Sequence, residues 1–125
     1  YIDPVFSWQI PPADTDIEFL RSSKLGDKSA NNIFVGDNNN GNVYYFQVNE
    51  DRSGIKFDAS QTGLIDLVAD NEEELSTIIF GSGFGSITDI ATGPDGFLYI
   101  LSYDDGIIYR IAPSSNNQVA ASVIS

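Results

Sequence analysis

Three features of the chain predict an all-β fold. Short apolar runs recur at strand length, Asn-Gly and Asp-Gly pairs separate them, and the second half of the chain repeats the pattern of the first. In order, the predicted strands are Ile17 to Leu20, Ile33 to Val35, Val43 to Val48, Leu64 to Val68, Ile87 to Ala91, Phe97 to Leu101, Ile107 to Ile111 and Val119 to Ile124. Asn38-Asn39-Asn40-Gly41 and Asp104-Asp105-Gly106 read as hairpin turns, because Asn, Asp and Gly tolerate the positive φ that tight turns require. Asp70 to Glu74 is a polar link that suits a short helix or a solvated loop equally.

The 125 residues make one domain, or a piece of one, large enough for a real core. Eighteen acidic residues against six basic ones leave a net charge of −12. That balance argues against nucleic acid and against anionic membrane surfaces, both of which demand clustered Lys and Arg. No apolar run approaches the ~20 residues of a membrane-spanning helix. Cysteine and histidine are absent, which removes disulfides, thiolate chemistry and the usual base near neutral pH. The chain has no Met and opens on Tyr1, which reads as a product of processing or excision. With the acidity, this points to a secreted, extracellular or periplasmic protein.

NIFVGDNNNGNVYYF (Asn32 to Phe46) lies over FLYILSYDDGIIYRI (Phe97 to Ile111) without a gap, at a constant offset of 65 residues. Upstream, Asp16-Ile17 matches Asp89-Ile90 at an offset of 73, with Lys24 to Ala30 inserted in the first copy. Repeats of three or four short strands at this spacing indicate β-propeller blades. The reading is a single segment, residues 1–125, of about two four-stranded blades spanning roughly 14–70 and 76–125, with Tyr1 to Trp8 as an extra strand. Two blades leave open edges and cannot close a ring. Either other parts of a longer chain complete it, or copies assemble, three two-blade units giving six blades by cyclic symmetry.

The segments FVGDNNNGNVYYFQVNEDR (Phe34 to Arg52), FGSGFGSITDIATGPDGFLYILSYDDGIIYRI (Phe80 to Ile111) and, more weakly, VFSWQIPPADTDIEFL (Val5 to Leu20) resemble the last blades of the glucose/sorbosone dehydrogenase family. The most specific stretch is ITDI-x-x-GPDG-x-LY-x-L followed by G-x-I-Y-R-I. The resemblance implies a six-bladed propeller with the quinone cofactor PQQ on its axis near calcium, oxidising sugars with a His as base. It also implies cations on PQQ's carboxylates. Here the Lys position falls on Asn39 and the Arg positions fall on Ser86 and Thr88, and there is no His. A polyanionic cofactor needs positive charge or aligned donors around it. The expectation is therefore a related fold without the activity in this chain alone.

Other candidates follow from residue chemistry. Asp37, Asp104 and Asp105 offer oxygen ligands for calcium, although EF-hand spacing is not met and an Asx-rich hairpin turn accounts for the same residues. Trp8 and Tyr103, near loops, and Arg110 are candidates for carbohydrate binding, while Tyr44 and Tyr109, at matching strand positions, read as core. Asp3, Asp14 and Asp16 flank Pro11-Pro12 and read as solvent-facing loop acids. Gly81 to Ser86 is Gly-rich but lacks the Lys of a phosphate loop, and reads as freeing the backbone at the entrance to the second blade. Three functional readings follow: a non-catalytic propeller module with an assembly or carbohydrate-binding role, a fragment of a PQQ-dependent aldose or glucose dehydrogenase, and a small self-assembling lectin.

Overall fold

The structure is a computed structural model that describes residues 2–114 and 119–124. Strand takes 42% of the chain and helix 9%, so the all-β expectation holds. Two antiparallel meanders dominate. The first runs β2 (Asp14–Phe19), β3 (Ile33–Asp37) and β4 (Val43–Val48). The outer edge of β4 is shared by β5 (Ile55–Lys56) at one end and β7 (Ile79–Gly81) at the other. The second is a four-stranded meander of β8 (Ile87–Thr92), β9 (Leu98–Ser102), β10 (Ile107–Pro113) and β11 (Val119–Ile124). Among the described residues neither sheet closes on itself.

The two meanders are copies down to their register. Ile33–Asp37 and Leu98–Ser102 are 65 positions apart at both ends, and Asp14–Phe19 and Ile87–Thr92 are 73 apart at both ends. Val35 faces Tyr44 in the first hairpin, and Ile100 faces Tyr109 in the second. Ile17 faces Val35, and Ile90 faces Ile100. Even the irregularity repeats: the β2–β3 ladder slips between Asp14 and Asp16, and the β8–β9 ladder between Ile87 and Asp89. A bulge bends its strand and strengthens the local twist, so a shared bulge means a shared sheet shape.

Because side chains alternate across a strand, each sheet has two distinct faces. The front of the first sheet carries Ile17, Ile33, Val35, Tyr44 and Phe46, and its back carries Phe34, Gly36, Val43 and Tyr45. The front of the second sheet (Ile90, Leu98, Ile100, Tyr109, Ile111) packs on the back of the first, and one buried cluster unites Phe34 and Val43 with Ile87, Ile90, Leu98, Ile100 and Ile111. Burying each such side chain contributes about 1.5–3 kcal/mol. Gly36 is required at the closest approach. A Cβ there would lie 2.6 Å from Cγ2 of Ile87 and 3.0 Å from Cδ1 of Ile90.

A second cluster covers part of the front of the first sheet, with Val35, Tyr44, Phe46, Leu64, Ala69 and Ile78 buried and Phe6, Trp8 and Phe57 packed on them. Here the structure departs from the sequence reading. Leu64 to Val68 is not one strand. Asp58 caps a 3-10 turn, Ala59–Leu64, which buries Leu64. Leu67 then reverses the chain at φ 68, and only β6 (Val68–Ala69) is extended. The extra strand at the start is reduced to β1 (Ser7–Trp8), paired parallel with β6; Tyr1 lies outside the described residues. The polar link is a short helix, α1 (Glu72–Ser76), capped by Asn71. Among the described residues no helix is long and apolar enough to cross a membrane.

Candidate functional site

The two hairpin turns converge at one end of the molecule. Gly41 and Gly106 hold positive φ (67 and 62), as the turn signals require. Phe84 donates to the Gly41 carbonyl at 3.1 Å, and Asn38 Nδ2 donates to the Ile87 carbonyl at 3.2 Å, which fixes the first turn against residues 84–87. Gly85 lies between the turns: a Cβ there would meet Asp105 Oδ2 at 2.7 Å and Ser102 Oγ at 2.8 Å, while a Cβ on Gly41 would meet Gly85 N at 2.8 Å. The Gly81 to Ser86 stretch thus lets three backbones approach, and Gly83 and Gly85 take φ of 82 and 72 to do so.

Asp37 organises the first turn from a fully buried position. Its Oδ1 accepts from the amides of Ala13 (3.2 Å), Asn39 (3.0 Å) and Asn40 (3.3 Å), and its Oδ2 accepts from Asn40 Nδ2 (2.7 Å) and the Tyr44 hydroxyl (2.9 Å). Burial, with that carboxylate at its hydroxyl, pushes Tyr44 up to about 12. The second turn repeats the pair at the same offset, with Ser102 Oγ donating to Asp105 Oδ2 at 3.3 Å. Asp104 accepts from Ser86 Oγ. Asp37 therefore spends its oxygens on its own turn, on the Ala13 amide and on the Tyr44 hydroxyl, and among the described residues no three carboxylates converge as a metal cluster. The three residues singled out in the sequence as candidate cofactor positions lie at or beside this end: Asn39 is exposed in the first turn, Ser86 holds Asp104, and Thr88 is exposed on β8. All three are uncharged.

The seam between the sheets is lined by carboxylates, of which the sequence reads Asp14 and Asp16 as loop acids and Glu18 and Asp89 as strand residues. Asp14 and Asp16 lie on β2, not in a loop. Asp16 Oδ2 accepts from the Ile90 amide at 2.8 Å, and Glu18 Oε2 accepts from the Thr92 amide at 2.6 Å. These are edge donors of β8, left unpaired on the side away from β9, and the carboxylates of β2 cover them. At Asp16 burial works upward, yet the amides of Ile90 and Ile17 and the neighbouring Asp89 hold its carboxyl below the usual range. The hydrogen bond to Asp16, with burial and the charges of Asp16 and Glu18, raises Asp89. Asp14 is exposed as a residue, but its carboxyl lies beside Asp37, and desolvation plus that charge push it up to about 6. Asp16-Ile17 over Asp89-Ile90 was visible as a sequence match; its use in covering edge amides was not.

The aromatic candidates do not gather. Trp8 packs edge-on to Phe6 (5.0 Å between centroids) and beside Tyr44 (5.6 Å), and its indole N–H is buried without a hydrogen-bond partner among the described residues. It borders two clefts. One, of about 420 Å³, sets Trp8 and Tyr44 among Asn40, Asn42, Asp70 and Asn71. The other, of about 410 Å³, is lined by Trp8, Asp14, Thr15, Asp16, Ile17 and Val35. Tyr103 is 75% exposed in the β9–β10 turn. Arg110 pairs with Asp95 at 3.0 Å and lies 4.4 Å over the Phe97 ring. The Asp95 carboxylate, already held by the Tyr99 hydroxyl at 2.7 Å, keeps Arg110 on the back of the second sheet.

No family model, curated protein or solved structure matches the chain.

Proposed function

We propose that this chain is a two-blade segment of a β-propeller related to the quinoprotein sugar dehydrogenases, acting as a non-catalytic assembly module that closes a ring with copies of itself. The observation that carries the reading is the duplicated meander: two sheets of the same register and bulge, the front of the second stacked on the back of the first. That one-directional stacking of like sheets is how blades follow one another. Three chains of two blades give six. The resemblance at Ile87 to Leu101 and Gly106 to Ile111 supports the family.

Loss of the sugar dehydrogenase reaction is supported by the chemistry at the hairpin end. Asn39, Ser86 and Thr88 supply no positive charge for PQQ's carboxylates, and a chain of net charge −12 without His offers neither clamp nor base. Titration with PQQ plus calcium is expected to leave the thermal midpoint unchanged. A clear upward shift accompanied by aldose-dependent dye reduction would establish the oxidoreductase reading instead. A second reading, weak carbohydrate binding, is favoured by the cleft that sets Trp8 and Tyr44 among Asn40, Asn42 and Asn71, an aromatic wall beside amide donors. The net charge of −12, which keeps the surface hydrated, supports secretion.

A further inference from the structure

We propose that the back of the second sheet docks head to tail on the front of the first sheet of a second copy of this chain, with Leu101 seated in the cleft beside Trp8. The inference rests on the propeller reading and names the contact that would close the ring.

The interface inside the chain is its template. There the front of one sheet meets the back of the other. Duplication leaves one front and one back with no sheet against them; the chain's own cluster around Leu64 covers Tyr44 and Phe46 on that front, and the rest of both faces exposes apolar side chains. Ile17 is 57% and Phe19 38% exposed on the first sheet's front, while Leu101 is 40% and Ile108 41% exposed on the second sheet's back. The faces differ from one another, so the contact they form is heterologous and propagates in one direction, which a rotation closes into a ring.

The two faces depart from the template in opposite senses at the same place. Inside the chain, Gly36 supplies a flat surface because Ile87 and Ile90 press against it. On the outer back, the position matching Gly36 is Leu101, which adds a projecting side chain. On the outer front, the position matching the fully buried Ile87 is Asp14, and beside it, between Trp8, Ile17 and Val35, an open cleft of about 410 Å³ replaces the filled core. A larger knob thus stands opposite a deeper hole. The polar contact does not carry over unchanged: Asp89, the residue matching Asp16, is hydrogen-bonded to Asp16 within the chain, and the Ile17 amide bonds to its own Asp16 at 2.8 Å.

The absence of cysteine makes the test direct. Leu101→Cys and Ile17→Cys are made separately, and both positions are exposed enough to tolerate the change. Under oxidising conditions, an equimolar mixture is expected to give a disulfide dimer that neither variant gives alone, and Leu101→Asp is expected to weaken association at least tenfold. A Leu101→Cys homodimer would overturn the inference in favour of a twofold contact. An oligomeric wild type with no cross-link in the mixture and an unaffected Leu101→Asp would place the interface elsewhere, leaving the propeller reading intact. A wild type monomeric at every concentration would overturn the inference together with closure by copies.

Discussion

At the scale of single residues, the chain places its carboxylates where backbone donors would otherwise be orphaned. Asp37 is the extreme case, a fully buried acid with five donors converging on it. Replacing it with Ala strands the Tyr44 hydroxyl and three amides, and a buried unsatisfied group costs about 1–3 kcal/mol. Asp37→Ala is therefore expected to lower stability by about 3 kcal/mol, read as a fall in the urea midpoint at unchanged slope. Asp14 acts in the opposite sense. Its folded pKa of about 6 stands above the unfolded 3.8, so the folded state binds the extra proton, and this group's stabilisation is lost as pH rises through that window. Asp14→Asn is expected to flatten the decline in stability between about pH 4 and 6 and to raise stability at pH 7, measured by urea unfolding across pH. An unchanged slope would assign the decline to other acids. Asp37's role was hidden in the sequence because an Asp before Asn-Asn-Asn-Gly reads as a solvated turn; only the fold reveals that the turn is pressed against residues 84–87.

At the scale of elements, turn chemistry made the hairpins legible. Gly41 and Gly106 sit at matching turns, and β3, β4, β8, β9 and β10 fall within a residue or two of where periodicity puts them. The stretch from Ile55 to Ile79 was not legible. Its apolar residues serve to cover a sheet face rather than to extend a sheet, so Leu64 is buried from a 3-10 turn and β6 is two residues long. The same limit hid the site: the pattern reads Asp16 as a loop acid and Glu18 as a polar strand position, and does not show that an edge strand 74 residues away needs their oxygens. The seam itself is set by Gly36. A methyl group there meets Ile87 and Ile90 inside contact distance, and overpacking a core costs about 1–3 kcal/mol. Gly36→Ala is expected to destabilise by that amount and to separate the sheets, seen as faster amide exchange at Ile90 and Thr92. An amide pattern unchanged from wild type would mean that the seam is looser than the packing indicates.

At the scale of the whole molecule, two facts pull against each other. The duplicated sheets expose unlike apolar faces that call for a neighbour, while a net charge of −12 makes each chain repel its copies. Salt screens such repulsion over about 10 Å at 0.1 M, so association should tighten from low to moderate ionic strength. The most direct measurement of the central claim is the solution mass by static light scattering across a concentration range at moderate salt. Closure by copies predicts a discrete species at three times the 13.6 kDa chain that persists on dilution. A mass of one chain at every concentration would contradict it.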